Sequence, residues 1–334
     1  MQKNLQIASQ QLTLRDMAHS DVDDVLQLHH QIFTSSLHSD WFTWKYVQGG
    51  GEGVGIWNAQ QALIAFCGGF PRRFLQQGQA ADFMQVGDLM VSPEWRGILT
   101  RKNPFFHACE HLYSTRLGKH QPYKVGFGLT HARAARLHAM QGLGQVPDNV
   151  RHLQWPVTSP LAAPQWQWQA RPLAPDAPQL RATVDRAWQA MQRDTQDYTI
   201  GLRDADYLIW RFTRRPDQPY RLFTLRRRWD WHPLGVLVLS QPSRPGEAVQ
   251  WIDWVGPPRH LAQACRAALR IAAQDGATRM TAWASAVVAE WLAPTQPEWL
   301  APVAEIVILT ASDLAAEQLP GLNLWLMAGD TDYL

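Results

Sequence analysis

A chain of 334 residues with a formal net charge of +2 and only 18% charged residues carries no strong field of either sign, which argues against nucleic acid or an anionic membrane surface as a partner. The length suits two domains of about 150 to 170 residues, each able to bury its own core. Three widely spaced cysteines, Cys67, Cys109 and Cys265, without CxxC pairing read as small buried apolar residues, not as a disulfide framework or metal site.

In chain order, MQKNLQIASQQLTLRD has no apolar leader core, and no later run approaches the roughly 18 apolar residues of a membrane helix. A soluble cytoplasmic protein is the expectation. HSDVDDVLQLHHQIF (19–33) places Val22, Val25, Leu28 and Ile32 at helical spacing. His29 and His30 lie in that helix with no partner at metal spacing and read as helix-face histidines. A second helical segment at about 39–48 precedes strands GIWNA and ALIAFCGGFPRRF, then a strand at about 81–91. A helix at 104–117, a strand at 123–130, a helix at 131–141 and a strand near 150–156 complete the first half. WPVTSPLAAPQWQWQARPLAPDAP (155–178) lacks helical periodicity and reads as a linker. Helix 177–191, strands YRLFTLRR, LGVLVLS and AVQWIDWV, helix 259–274, strand RMTAWAS, helix 286–292 and end strands EIVILT and LWLMAGD follow. The cations of RLFTLRRRWDWH (221–232) read as a solvated hairpin tip, with contact to an anionic substrate as the alternative.

The two halves repeat each other. DWFTWKY (40–46) matches DYLIWRF (206–212) at a separation of 166 (206 − 40), and QVGDLMV (85–91) matches QWIDWVG (250–256), setting Asp88 opposite Asp253 at 165 (253 − 88). Two matches at nearly one separation indicate a tandem duplication, and two units of this length make two similar domains, not a solenoid. Strands alternating with helices imply sheets covered by helices.

VGDLMVSPEWRG (86–97) and GFGLTHARAARLHAMQGLG (126–144) carry a resemblance to the GNAT superfamily of acyl-CoA N-acyltransferases. The first is similar to that family's fourth strand and pyrophosphate loop, the second to its fifth strand and the helix after it. The resemblance implies an α/β (α+β) fold of two tandem GNAT-like domains, 1–156 and 179–334 around a linker at 157–178. Each would hold a mixed, mostly antiparallel sheet flanked by helices. It also implies acetyl-CoA or another acyl-CoA as co-substrate and a small-molecule or peptide amine as acceptor. The amine would attack directly in a ternary complex, since no cysteine stands where a covalent intermediate would form. The alternative is a catalytically inactive GNAT-like protein that binds acyl-CoA or a partner.

A strand ending in a turn of N–H groups before a helix N-terminus presents donors and a positive dipole to a diphosphate. In PEWRGILTRKNPFF (93–106), Arg96 and Gly97 fit the family's loop, but Leu99 and Arg101 replace its later glycines. Thr100, Arg101 and Lys102 bring a hydroxyl and two cations instead, and Asn103-Pro104 reads as an N-cap with proline at N1. The cofactor-binding candidates are therefore Leu89, Met90, Val91, Arg96, Gly97, Ile98, Leu99, Thr100, Arg101, Lys102, Asn103, Thr130 and His131. His138, where the family often has tyrosine, is the candidate acid for the departing thiolate; Asp88 and Glu94 are candidate bases. The bland alternatives are a packed helix residue for His138, a structural hydrogen bond for Asp88 and a solvated turn for Glu94. After Asp253 the second half reads WVGPPRHLAQ, and Pro257 and Pro258 remove two donors from the equivalent turn. The C-terminal half is expected to be degenerate, with no CoA site.

Overall fold

The computed structural model describes residues 2–33, 38–97, 102–158, 167–230, 232–244, 246–310 and 322–331. It divides into two compact units: residues 1–73, 81–147 and 306–320, and residues 74–80, 148–305 and 321–334.

Unit 1 opens with a hairpin, β1 (Gln2–Ile7) and β2 (Gln10–Asp16). Its two turn residues, Ala8 and Ser9, both have positive φ, the twist that a two-residue hairpin turn needs. Next comes α1 (Val22–Ile32), whose Val25 and Leu28 are buried as the spacing predicts. α2 (Ser39–Phe42) continues directly into a π turn at Thr43–Gln48. β3 (Glu52–Trp57), β4 (Leu63–Gln76) and β5 (Gln79–Val91) follow, then α3 (Pro104–Arg116), β6 (Val125–Thr130) and α4 (Ala132–Met140). The strands run in the order β1-β2-β3-β4-β5-β6. The pairs β1/β2, β2/β3 and β3/β4 are antiparallel, and β5/β6 is parallel. Val54, Ile56, Met84 and Val86 pack under Ala108 and Leu112 of α3.

That core is finished by a strand from near the other end of the sequence. Residues 306–309, the end of β14 (Glu298–Leu309), belong to unit 1 and stand beside β6. Val307 and Leu309 are each 1% exposed within the unit 1 core. Gly126 of β6 admits this strand, because a Cβ there would stand 3.1 Å from the Leu309 Cβ.

Unit 2 takes the later part of β7 (Gly144–Pro156), then β8 (Trp168–Pro172), α5 (Leu180–Asp194) and β9 (Thr199–Gly201). α6 (Ala205–Leu208) again runs into a π turn, Ile209–Thr213. β10 (Tyr220–Arg227), β11 (Pro233–Ser240), β12 (Val249–Val255), α7 (Leu261–Gln274), β13 (Arg279–Ala284), α8 (Ala286–Leu292) and β15 (Leu324–Trp325) complete it. The strand order is β14-β7-β13-β12-β11-β10-β8, antiparallel at β7/β13, β12/β11, β11/β10 and β10/β8 and parallel at β12/β13. β8 lies inside the stretch read as a linker: Trp168 and Ala170 pack on the core, and a single edge strand gives too short a pattern to signal itself. No helix among the described residues is long and apolar enough to cross a membrane.

The duplication is visible in the backbone. Each of the matching strands lies in a parallel pair, and these two pairs start 166 residues apart (249 − 83), Phe83↔Val125 in unit 1 and Val249↔Met280 in unit 2. The aspartates are 165 apart, so β5 carries one more residue than β12 over that span. Asp88 takes it up with a φ of 49°, a left-handed conformation that costs an L residue energy and kinks the strand.

Leu309→Ala is expected to cost about 2 to 5 kcal/mol, as for other buried leucines. Hydrogen exchange should show the loss of protection in β5 and β6 while β10 to β12 keep theirs; equal loss in both sets would refute the assignment of residues 306–309 to unit 1.

Candidate functional site

The parallel pair of unit 1 opens as it runs. β5 and β6 are in register at Phe83↔Val125, Met84↔Gly126 and Gln85↔Phe127. Beyond these, β5 continues to Val91 and β6 to Thr130 with no further ladder pair among the described residues. Past Val86 the β6-facing peptide groups of β5 have no ladder pair on β6 among the described residues, the arrangement an extended amide-containing arm could occupy.

Both strands lead to capped helices. Asn103 Oδ1 accepts from Phe106 N at 3.0 Å with Pro104 at N1, so α3 starts where the sequence predicts. At α4, His131 Nδ1 accepts from Ala134 N at 3.2 Å, which leaves Nε2 as the ring's donor. In the turn after β5, Glu94 is exposed within a short 3-10 turn, Pro93–Trp95. Arg96 Nε donates to Val91 O at 2.8 Å. Gly97 has φ 78° with nothing within 4 Å of a Cβ placed there, so glycine serves the dihedral and not the space. Lys102 is exposed, its Nζ 6.0 Å from the Phe106 ring centroid. Ile98, Leu99, Thr100 and Arg101 lie outside the described residues. Of the strand candidates, Met90 is buried and Leu89, Val91 and Thr130 are half-buried.

His138 belongs to a cluster that the sequence did not announce. Its Nδ1 lies 2.9 Å from Ala134 O and its Nε2 3.1 Å from Tyr113 Oη, and the side chain is almost fully buried. A carbonyl only accepts, so Nδ1 carries a proton and Nε2 is the atom that exchanges one with Tyr113. Cys109 Sγ stands 3.9 Å from Cys67 Sγ in the same buried group. Burial pushes the His138 imidazole down, but hydrogen bonding and charge attraction from Cys109, with the Ala134 carbonyl, outweigh it and leave His138 above the usual histidine range. Burial pushes the Cys109 thiol up, and contacts with Cys67, His138 and Tyr113 overcome it and bring the thiol down. The sequence marks the cysteines only as small buried apolar residues and does not single out Tyr113.

Asp88 lies in a second cluster, built by the repeated Trp-cation-aromatic block. Lys45 Nζ from the π turn is 2.7 Å from Asp88 Oδ2, and Tyr46 Oη donates to the same oxygen at 2.5 Å. Lys45 is 1% exposed and faces the rings of Trp41 at 4.9 Å and Phe70 at 5.1 Å. Gly68 makes room: a Cβ on it would meet Tyr46 Oη at 2.1 Å. His29 is buried, unlike His30, against Phe33 and Trp41 at ring separations of 4.6 and 6.0 Å. Its Nδ1 is buried without a hydrogen-bond partner among the described residues. Burial lowers the His29 pKa; Asp88 opposes this, and His30 and Lys45 reinforce it. Only the repeated block could have pointed to Lys45; His29 left no signal beyond its helix position.

The equivalent place in unit 2 is closed. Arg203 Nε meets Asp253 Oδ1 at 3.1 Å, Arg203 also pairs with Asp330, and all three side chains are 0% exposed. Arg211, the counterpart of Lys45, instead donates to the carbonyls of Gly329 and Thr331. Burial pushes Asp253 up to about 6, with Asp330 adding to it and Arg203 opposing. Pro257 and Pro258 occupy the turn between β12 and α7. Among the described residues no group of His, Cys, Asp or Glu could hold a metal ion.

No family model matches this sequence, and no curated protein does. Solved structures do. A conserved protein of Enterococcus faecalis described as a probable N-acyltransferase matches over 93% of this chain and 74% of its own, at TM-score 0.66 and 9% identity. A GCN5-related N-acetyltransferase from Kribbella flavida matches over 90% and 71%, at TM-score 0.58 and 15% identity. The chain has the GNAT fold. Saccharomyces cerevisiae N-myristoyltransferase, solved with myristoyl-CoA bound, matches over 92% of this chain and 84% of its own at TM-score 0.54 and 11% identity. These matches extend the GNAT likeness across both halves of the duplication.

Lys45→Met should leave Asp88 without its ammonium partner in a nearly closed site, destabilising by about 3 to 5 kcal/mol. Adding Asp88→Asn should recover part of it in urea titrations; no recovery would mean that the two do not act as a pair. In unit 2, a folded Asp253 pKa of about 6 against an ordinary 3.8 makes its ionisation unfavourable to the fold. Its contribution is full below 3.8 and is lost as pH rises through about 6. The slope of unfolding free energy against pH in that window should flatten in Asp253→Asn; an unchanged slope would assign the dependence elsewhere.

Proposed function

We propose that unit 1 is an acyl-CoA-dependent N-acyltransferase that transfers an acyl group to an amine by direct attack in a ternary complex. The divergence of β5 from β6 beyond Gln85–Phe127, with a capped helix after each strand, carries this reading. Pantetheine amides pair with the opened strands, and N–H groups around Met90 and Val91 polarise the thioester carbonyl. At α3, Pro104 lacks an N–H and Asn103 occupies that of Phe106, so the diphosphate depends on side-chain cations from Arg101 and Lys102.

His138 is the acid. An imidazole held above its usual range keeps a proton on Nε2, which passes to Tyr113 Oη as the Tyr113 hydroxyl gives its own proton to the departing CoA thiolate. On the acceptor side, His29 takes the ammonium proton at its unpartnered Nδ1, since an imidazole kept below its usual range is neutral at neutral pH. Asp88, engaged by Lys45 and Tyr46, then holds the acceptor side of the site in place, and Glu94 stays in solvent. The acceptor is a small-molecule or peptide amine, and acetyl is the first acyl group to test.

Thermal shift with acetyl-CoA and longer acyl-CoAs provides the first test. A ligand at 100 times its dissociation constant stabilises by about 2.7 kcal/mol, and no shift with any CoA species would sink this reading. Arg101→Ala with Lys102→Ala should abolish the shift. His138→Phe should keep binding and lose turnover, roughly 100-fold or more for a general acid. His29→Gln should remove the rise of kcat/KM with pH in the acid range. Binding with no turnover on any amine would leave an inactive acyl-CoA-binding protein.

A further inference from the structure

The hairpin of β10 and β11 ends in an exposed turn. Asp230 N donates to Arg227 O at 3.1 Å, so Arg228 and Trp229 are the two central residues of that turn. Trp229 is 78% exposed, more than any other tryptophan among the described residues. Three consecutive arginines, Arg226 to Arg228, precede it in RRRWDWH (226–232), against one carboxylate. That carboxylate, Asp230, accepts from His232 N at 2.9 Å. Arg227 and Arg228 are exposed and make no ion pair among the described residues.

The two exposed cations stand against aromatic rings. The Arg228 guanidinium is 5.5 Å from the Trp229 ring centroid. Arg227 lies opposite Trp168 of the edge strand β8, its guanidinium 5.4 Å from that ring. Arg228 N donates to Gln167 O at 2.9 Å, which ties the start of β8 to the turn. A single exposed tryptophan needs no explanation on a protein surface. One at the point of a turn, with guanidinium groups on and beside it, matches the chemistry of a bilayer's headgroup layer, where indole rings reside and basic side chains meet anionic lipid.

We propose that this turn docks unit 2 on an anionic phospholipid surface, with the Trp229 ring in the headgroup layer and Arg227 and Arg228 on lipid phosphates. A bilayer is a plane, so cations on either flank of the turn reach it together and need not converge on one point. An acidic peptide or a single-stranded nucleic acid instead follows a groove or a row of rings, and a convex turn offers neither. The net charge of +2 sums charges spread over the whole surface. Exposed charges act over only about 8 Å at physiological ionic strength, so one edge can attract anionic lipid where the total predicts nothing. The docking turn is separate from the acyl-CoA reading of unit 1 and does not depend on it.

Co-sedimentation of the full chain with vesicles of phosphatidylcholine, alone and mixed with phosphatidylserine, tests this. Binding is expected to the mixed vesicles and should fall as sodium chloride is raised. Arg227→Ala with Arg228→Ala should weaken it about ten-fold or more. Trp229→Ala should also weaken it about ten-fold, by removing the buried ring. Met140→Ala, which removes a side chain 77% exposed in unit 1, should leave binding unchanged. No binding to the mixed vesicles would overturn the proposal, as would binding that the arginine pair and Trp229 variants leave intact or that Met140→Ala reduces equally. Tighter saturable binding of polyglutamate or of a single-stranded oligonucleotide than of vesicles would assign the turn to an acidic protein or a nucleic acid, and would overturn it too.

Discussion

A buried cation held against a carboxylate at the point where a parallel strand kinks is the constraint on which the site depends. In unit 1 Lys45 reaches Asp88 from a π turn; in unit 2 Arg203 meets Asp253, while Arg211, the counterpart of Lys45, donates to backbone carbonyls. Burying an ion is expensive unless its partner is fixed in place, so the pair constrains three elements together: the π turn that carries the cation, the glycine that lets the aromatic neighbour pass, and the kink that turns the carboxylate toward it. Register with β6 ends at Gln85, before the kink, so the ion pair sits on the stretch of β5 that has left its neighbour. A folding requirement and an unpaired length of strand thus share one stretch of sequence.

The two units have used this device differently. Unit 1 uses a lysine there, and β5 runs on past the end of its pairing with β6. Unit 2 buries two arginines, closes the region with the turn at Ala328–Asp330 and puts proline where backbone donors would be needed. On a shared scaffold one half keeps a single lysine–aspartate pair and the other a fully buried arginine–aspartate network.

Much of the architecture was legible because it rests on periodicity and local chemistry. Asn103-Pro104 cap α3, Val25 and Leu28 face inward, and the two aspartates mark matching strands. β8 and the partition of β14 were not legible, because one short edge strand and one strand divided between units depend on long-range pairing that no local pattern encodes. The site was half legible. Its backbone shape follows from the strand-turn-helix order, whereas the proximity of Cys109 to His138, or of His29 to the Asp88 cluster, arises only when distant helices pack.

The placement of residues 306–309 in unit 1 has a temporal consequence. A ribosome delivers the chain from its start, so β1 to β6 emerge long before the strand that completes their core. Until Val307 and Leu309 are made, the β14 side of β6 is an open, apolar sheet edge of the kind that recruits other strands. Unit 2 draws on strand material from near position 74 to beyond position 320, so it too waits for the end of synthesis. The duplication that makes two similar units in space therefore does not give two independent folding events in time.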